Sequence, residues 1–147
     1  MTNDDIDRLA EELGVKHYAG CWPDDQLPLL EDKEGCILNY QSTGEPGSHW
    51  TALRRYGNTI YHFDSLGFPP DEHVEELLDK TGMELETEPI RLQRDESHYC
   101  GHYCLLFLRS VEEPEDIPLF YDNFSINESP VDLRLNDKIM RDMVIEW

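Results

Sequence analysis

Ser48-His49-Trp50-Thr51-Ala52-Leu53-Arg54-Arg55-Tyr56-Gly57-Asn58-Thr59-Ile60-Tyr61-His62-Phe63-Asp64 reads as two β-rich runs, Ser48 to Tyr56 and Thr59 to Asp64, folded about Gly57-Asn58, a dipeptide that signals a two-residue hairpin turn. With those residues at the turn, Tyr56 faces Thr59, and stepping outward pairs Leu53 with His62 and Thr51 with Asp64. His49 lies two residues beyond Thr51, so it shares a sheet face with Asp64 on the diagonal, about 7–8 Å away and within side-chain reach. A carboxylate in that place orients an imidazole and fixes its tautomer. The register carries the inference, because a three-residue turn would flip the parity. His62 falls on the same face and competes for the role of base. The plain alternative for a lone strand histidine is a satisfied structural residue.

A second stretch supplies the group such a pair would serve. Ser97-His98-Tyr99-Cys100-Gly101-His102-Tyr103-Cys104-Leu105-Leu106-Phe107-Leu108 puts a cysteine and a glycine at the start of an almost wholly apolar run. Tyr103 to Leu108 is apolar all round and predicts a buried central helix with Cys100 at or just before its first turn. Unpaired N–H groups and the positive end of the helix dipole favour a thiolate there, and the thiolate is the reactive form of cysteine. Gly101, lacking a side chain, leaves the thiol open to an approaching substrate backbone. The alternative is that Cys100 and Cys104 are ordinary buried thiols.

Working outward, Asp4 to Leu13 has helical spacing with Gly14 as its stop, and Tyr18 to Leu30 reads as loop and turn. Gly35 to Tyr40 predicts a short strand, Ser42 to Gly47 a loop, and Asp71 to Lys80 a helix ended by Thr81-Gly82. Glu86 to Leu92 predicts a further strand, Asp95 to Tyr99 a loop, and the segment after Val111 an acidic, proline-marked loop. Leu133 to Trp147 closes the chain as a helix with Leu135, Ile139, Met143 and Trp147 spaced to pack. The pattern is α+β: a small mixed or antiparallel sheet carries His49 and Asp64, and a central buried helix carries Cys100. Residues 1–147 are expected to form a single domain, long enough to bury a core without disulfides or a structural metal.

The formal charge of -20, from 32 acidic against 12 basic residues, repels nucleic acid and anionic lipid and draws basic partners. Acidic surplus with few lysines is also how a chain adapted to high salt looks. No apolar run reaches the roughly 18 residues of a membrane span, and the acidic start is unlike a signal peptide. These features predict a soluble intracellular protein with no membrane partner and with Cys21, Cys36, Cys100 and Cys104 reduced.

Taken together, the motifs resemble the cysteine peptidases that include the adenovirus maturation endopeptidase, SUMO-specific proteases and related proteases of large DNA viruses, virophages and Polinton-type transposons. Gly47-Ser48-His49-Trp50-Thr51-Ala52-Leu53 is similar to that group's histidine-tryptophan strand, and Tyr61-His62-Phe63-Asp64-Ser65-Leu66-Gly67 to its acidic-residue strand. Arg91-Leu92-Gln93 followed by Tyr99-Cys100-Gly101 is similar to its glutamine and cysteine-glycine pair. Upstream, Tyr18-Ala19-Gly20-Cys21-Trp22-Pro23-Asp24-Asp25-Gln26-Leu27-Pro28 resembles a glycine-to-leucine-proline stretch of the viral and transposon members.

The resemblance implies a papain-like cysteine protease fold with permuted His-Asp-Gln-Cys order. It implies Cys100 as nucleophile, His49 as general acid/base, Asp64 as its orienting carboxylate and Gln93 as oxyanion donor alongside the backbone N–H of Cys100. Trp50 and Gly101 become substrate-binding residues, with Trp50 a wall of a tunnel that admits only glycine before the scissile bond. The substrate is then a polypeptide cut at Gly-X bonds, in viral structural precursors or, alternatively, at the end of a ubiquitin-like modifier. Precursor processing is preferred, in host cytoplasm or virus factory, with the virion as a further location. No metal and no other cofactor is implied, and the acidic charge departs from the basic, DNA-assisted adenovirus enzyme. A non-enzymatic rival is zinc binding by the alternating His98, Cys100, His102 and Cys104, although on a helix His98 and Cys104 do not converge. An inactive, interaction-only relative is the third.

Overall fold

The computed structural model describes residues 2–40, 49–94 and 99–144, together with the backbone alone at residue 145. Five strands form one mixed sheet in the order β1-β2-β3-β4-β5: Tyr18–Pro23, Gly35–Asn39, Trp50–Tyr56, Thr59–Phe63 and Glu84–Thr87. The central three are antiparallel neighbours, and β1 and β5 join the two edges in parallel. The hairpin register follows the turn chemistry, with Tyr56 opposite Thr59, Leu53 opposite His62 and Ala52 opposite Phe63. Gly57 sits at φ +56°, the first central position of a tight turn where a side chain would be strained.

Side chains alternate across the sheet and feed two cores. On one face Ile37, Ala52 and Phe63 pack with the apolar helix α3, Cys100–Ser110. On the other, Cys36, Leu38, Leu53 and Ile60 gather with Val74 of α2, Glu72–Thr81. Both faces are therefore covered, and β2 is buried along its whole length. Asp71 caps α2 by accepting from the N–H groups of His73 and Val74, and Gly82 ends it in the left-handed region. At the other end of the chain α1, Asn3–Glu12, opens with a capping box between Thr2 and Asp5 and packs on β1 and α3.

Four sequence expectations are corrected. Tyr18–Pro23, read as loop, is a strand: Gly20 and Pro23 spoil its alternation, and parallel pairing with β2, irregular between Tyr18 and Cys21, imposes the extended form. The strand expected over Glu86 to Leu92 is β5, which begins at Glu84 and stops at Thr87, before Pro89. Inside the expected acidic loop lies a short helix α4, Asp116–Tyr121, whose Phe120 sits edge-on at 5.4 Å to both rings of the stacked Phe63–Phe107 pair. The last helix α5, Pro130–Ile145, starts three residues early at a proline, and Leu135 is 48 % exposed instead of packed. Its inward stripe is partly polar: Asn136 and Asp137 are buried beside Leu133 and Met140, which apolar periodicity cannot register. Trp147 and the expected loops over residues 42–47 and 95–98 lie outside the described residues.

One buried cation holds the α3 side together. Arg54, 1 % exposed, donates to the carbonyl oxygens of Lys16, Lys33 and Leu108 at 3.3, 2.7 and 2.8 Å. Gly35 lies against it, where a Cβ would stand 2.8 Å from Leu108 and 3.1 Å from the guanidinium. No helix among the described residues is long and apolar enough to cross a membrane.

Candidate active site

His49 immediately precedes β3 and Asp64 immediately follows β4, so the open end of the hairpin brings them together. His49 Nε2 donates to Asp64 Oδ1 at 2.8 Å, the contact that the diagonal register predicts. Asp64 is 2 % exposed, and the same Oδ1 also accepts from the Leu66 N–H at 2.8 Å. The other ring nitrogen is left for Cys100, whose thiol hydrogen-bonds the imidazole. Burial works against a charged His49, but the hydrogen bonds to Asp64 and Cys100 outweigh it and raise the imidazole to about 9.

Cys100 is the first residue of α3 and 5 % exposed, and Gly101, the second, is buried. Cys104, one turn on, has a different fate: its thiol donates to the Trp50 carbonyl at 3.3 Å, and burial pushes it well above the ordinary thiol value. None of the four cysteines is in a disulfide. Trp50 belongs to the same buried cluster as Cys100, and its indole N–H donates to Asn3 Oδ1 at 3.3 Å.

Gln93 is brought in by the segment after β5. The turn Asp64–Gly67 closes with a hydrogen bond from the Gly67 N–H to the Asp64 carbonyl, and Gly67 at φ +78° lies against the backbone of Ile90 and Arg91. There the N–H groups of Leu92 and Gln93 both donate to the Ser65 carbonyl, at 2.8 and 3.0 Å. Asn136 on α5 donates to the Leu92 carbonyl from the other side. Gln93 is 2 % exposed, and its Oε1 accepts from the Ser65 hydroxyl.

His62, the competing base, is not in this group. It is 3 % exposed, its ring nitrogens meet the Tyr40 hydroxyl and Thr87 Oγ1 at 3.3 Å each, and burial lowers it to about 4. The sequence reading missed two neighbours. Tyr40 sets its ring edge-on to His49 at 6.0 Å, and Ser65 holds the Gln93 carboxamide. The signal for Ser65 was present, since it directly follows Asp64 in a motif already singled out; Tyr40 gave none, because its approach depends on strand order.

For the zinc reading, His98 lies outside the described residues, and Cys104 is turned to the Trp50 carbonyl. Among the described residues three metal-ligating side chains converge elsewhere: Asp24, Asp71 and His73 hold ligand atoms within 4.8 Å of one another at the start of α2. Burial and the adjacent Asp24 push the Asp71 carboxyl up to about 6.

No family profile matches the chain. It is 26 % identical over 140 residues to the protease of porcine adenovirus A serotype 3, a match covering 82 % of this chain and 69 % of that protein. In fold it is similar to the crystal structure of the ASFV protease, with a TM-score of 0.52 and 23 % identity over 76 % of this chain. The chain resembles viral proteases in sequence and in fold. It spans 42 % of the ASFV protease chain, and that likeness speaks for the α+β fold expected from the motifs.

Proposed function

We propose that the protein is a cysteine endopeptidase with Cys100 as nucleophile and His49 as its general acid/base. The observation that carries this reading is a single chain of hydrogen bonds, Asp64 to His49 to Cys100, at the N-terminus of a buried helix. The likeness to the porcine adenovirus protease supports it.

In this mechanism His49 takes up the Cys100 thiol proton on the nitrogen facing the sulfur and holds it as the imidazolium that its raised value favours, while Nε2–H stays on Asp64. The thiolate attacks the scissile carbonyl carbon, and the oxyanion that forms is held by the Gln93 side-chain amide and the Cys100 backbone N–H. Each such donor contributes about 3–4 kcal/mol in the transition state. As the C–N bond breaks, imidazolium returns its proton to the leaving amine. Water, deprotonated by His49, then hydrolyses the thioester and restores the thiol.

The preferred bond is Gly-X. Cys100 is 5 % exposed, so a substrate backbone reaches the sulfur most closely where it carries no side chain, with Trp50 and Gly101 beside the path. The preferred substrates are viral precursor polypeptides rather than a ubiquitin-like modifier, with processing during virion maturation as the role, as the motif resemblance to viral maturation peptidases implies. The fold is read as one peptidase domain.

The test is the alkylation rate of Cys100 against pH, read by peptide mass, in wild type and His49→Ala, followed by turnover of Gly-X peptides and of a modifier ending in Gly-Gly. Reactivity that persists below neutral pH and vanishes in His49→Ala is expected, with cleavage of the short peptides. Slow alkylation indifferent to His49 would sink the protease reading, and exclusive cleavage of the modifier would favour the alternative substrate.

A further inference from the structure

Gln93 can stabilise an oxyanion only through its NH2 end. A carboxamide is nearly symmetric in shape, and turned by half a rotation it would aim a carbonyl oxygen at the developing negative charge. The backbone alone does not set that choice, since it places the side chain without distinguishing its two ends. Something that contacts one terminal atom must decide it.

Ser65 makes that contact. It is fully buried at 0 % exposure, and its hydroxyl donates to Gln93 Oε1. A buried hydroxyl proton needs an acceptor, and Oε1 takes it here; with the amide turned, Nε2–H would face the oxygen and the proton would lose that partner. The Ser65 carbonyl meanwhile accepts from the N–H groups of both Leu92 and Gln93, so one residue grips the glutamine by its main chain and by one end of its side chain. Its chain neighbour Asp64 orients His49.

We infer that Ser65 is a positioning residue for the oxyanion hole: its hydroxyl holds Gln93 Oε1 so that the amide NH2 faces the reacting carbonyl. This rests on the peptidase reading above. Adjacent residues of one turn then set the two halves of the chemistry, Asp64 the proton transfer and Ser65 the charge stabilisation.

The experiment is steady-state kinetics on a Gly-X peptide with Ser65→Ala, Ser65→Thr, Gln93→Ala and the Ser65→Ala/Gln93→Ala double variant, alongside the pH profile of Cys100 alkylation for each. Loss of the donor in Gln93→Ala is expected to lower kcat about 10²–10³-fold. Ser65→Ala should lower kcat about 10–100-fold with KM within about twofold, an intermediate loss because some amides still face the right way. The double variant should match Gln93→Ala within about twofold, as expected of two residues acting as one unit, and Ser65→Thr should recover most of the rate. Alkylation involves no oxyanion, so its profile should be unchanged throughout.

Multiplying effects in the double variant, or an unchanged kcat in Ser65→Ala, would overturn the inference. So would loss of the alkylation profile in both Ser65 variants, which would make Ser65 a structural residue only. An unaffected Gln93→Ala in an active enzyme would instead remove the oxyanion assignment itself, and an inactive wild type would remove the peptidase reading.

Discussion

Two histidines on one hairpin have opposite chemistry. His62 sits within β4, paired to Leu53 and closed in by Tyr40 and Thr87, where its hydrogen-bond partners are uncharged hydroxyls and burial outweighs the pull of Asp64 to lower it to about 4. His49 sits one step beyond the ladder, where the strand has ended and Asp64 and Cys100 are within reach, and it is raised to about 9. Both side chains are shielded, so shielding alone does not fix the direction of the shift. The difference is the contact: Asp64 raises both rings through its charge, but only His49 hydrogen-bonds the carboxylate, and that bond outweighs burial where two hydroxyls do not.

The strongest way to break this contrast is to swap roles by deletion. His49→Ala and Cys100→Ala should each lower peptide turnover by about 10⁴-fold or more, while His62→Gln should leave it within about threefold, measured as kcat/KM on the same peptide. Equal losses at the two histidines would erase the distinction. Asp64→Asn keeps the shape but withdraws the carboxylate to which His49 alone is bonded, and should cost about 10²–10⁴-fold in kcat.

Stability against pH sharpens the same comparison at a smaller scale. His49 is raised from 6.5 to about 9, so its contribution is complete below pH 6.5 and is lost as pH climbs through 9. His62 is lowered from 6.5 to about 4, so its contribution is complete above pH 6.5 and is lost as pH falls through 4. Thermal unfolding of the wild type should lose about 5 °C between pH 6.5 and 9, a slope that flattens in Asp64→Asn. Between pH 6.5 and 4 the His62→Gln variant should lose less than wild type. Slopes of the same sign at the two residues would contradict the assignment.

The hairpin, its register, the His49–Asp64 approach and the helix behind Cys100 were legible because each is local: a turn dipeptide, a two-residue alternation and an uninterrupted apolar run. What stayed hidden depends on partners distant in sequence. β1 is extended because β2 runs beside it, although its own residues suggest a loop. Apolar spacing turns Leu135 inward, but it points out, because Asn136 takes the buried place to bond the Ser125 and Leu92 backbones. Gln93 was found by likeness, and the tie that fixes it to Ser65 crosses from one loop to another.

Arg54 gives this protein a cross-link of an unusual kind. A disulfide ties two points and is cut by reductant, whereas this guanidinium ties three, at Lys16, Lys33 and Leu108, and has no redox chemistry. Conditions that keep the thiols reduced therefore leave the anchoring of α3 to the sheet unchanged. A reducing agent that keeps Cys100 a free thiol does not touch this tie.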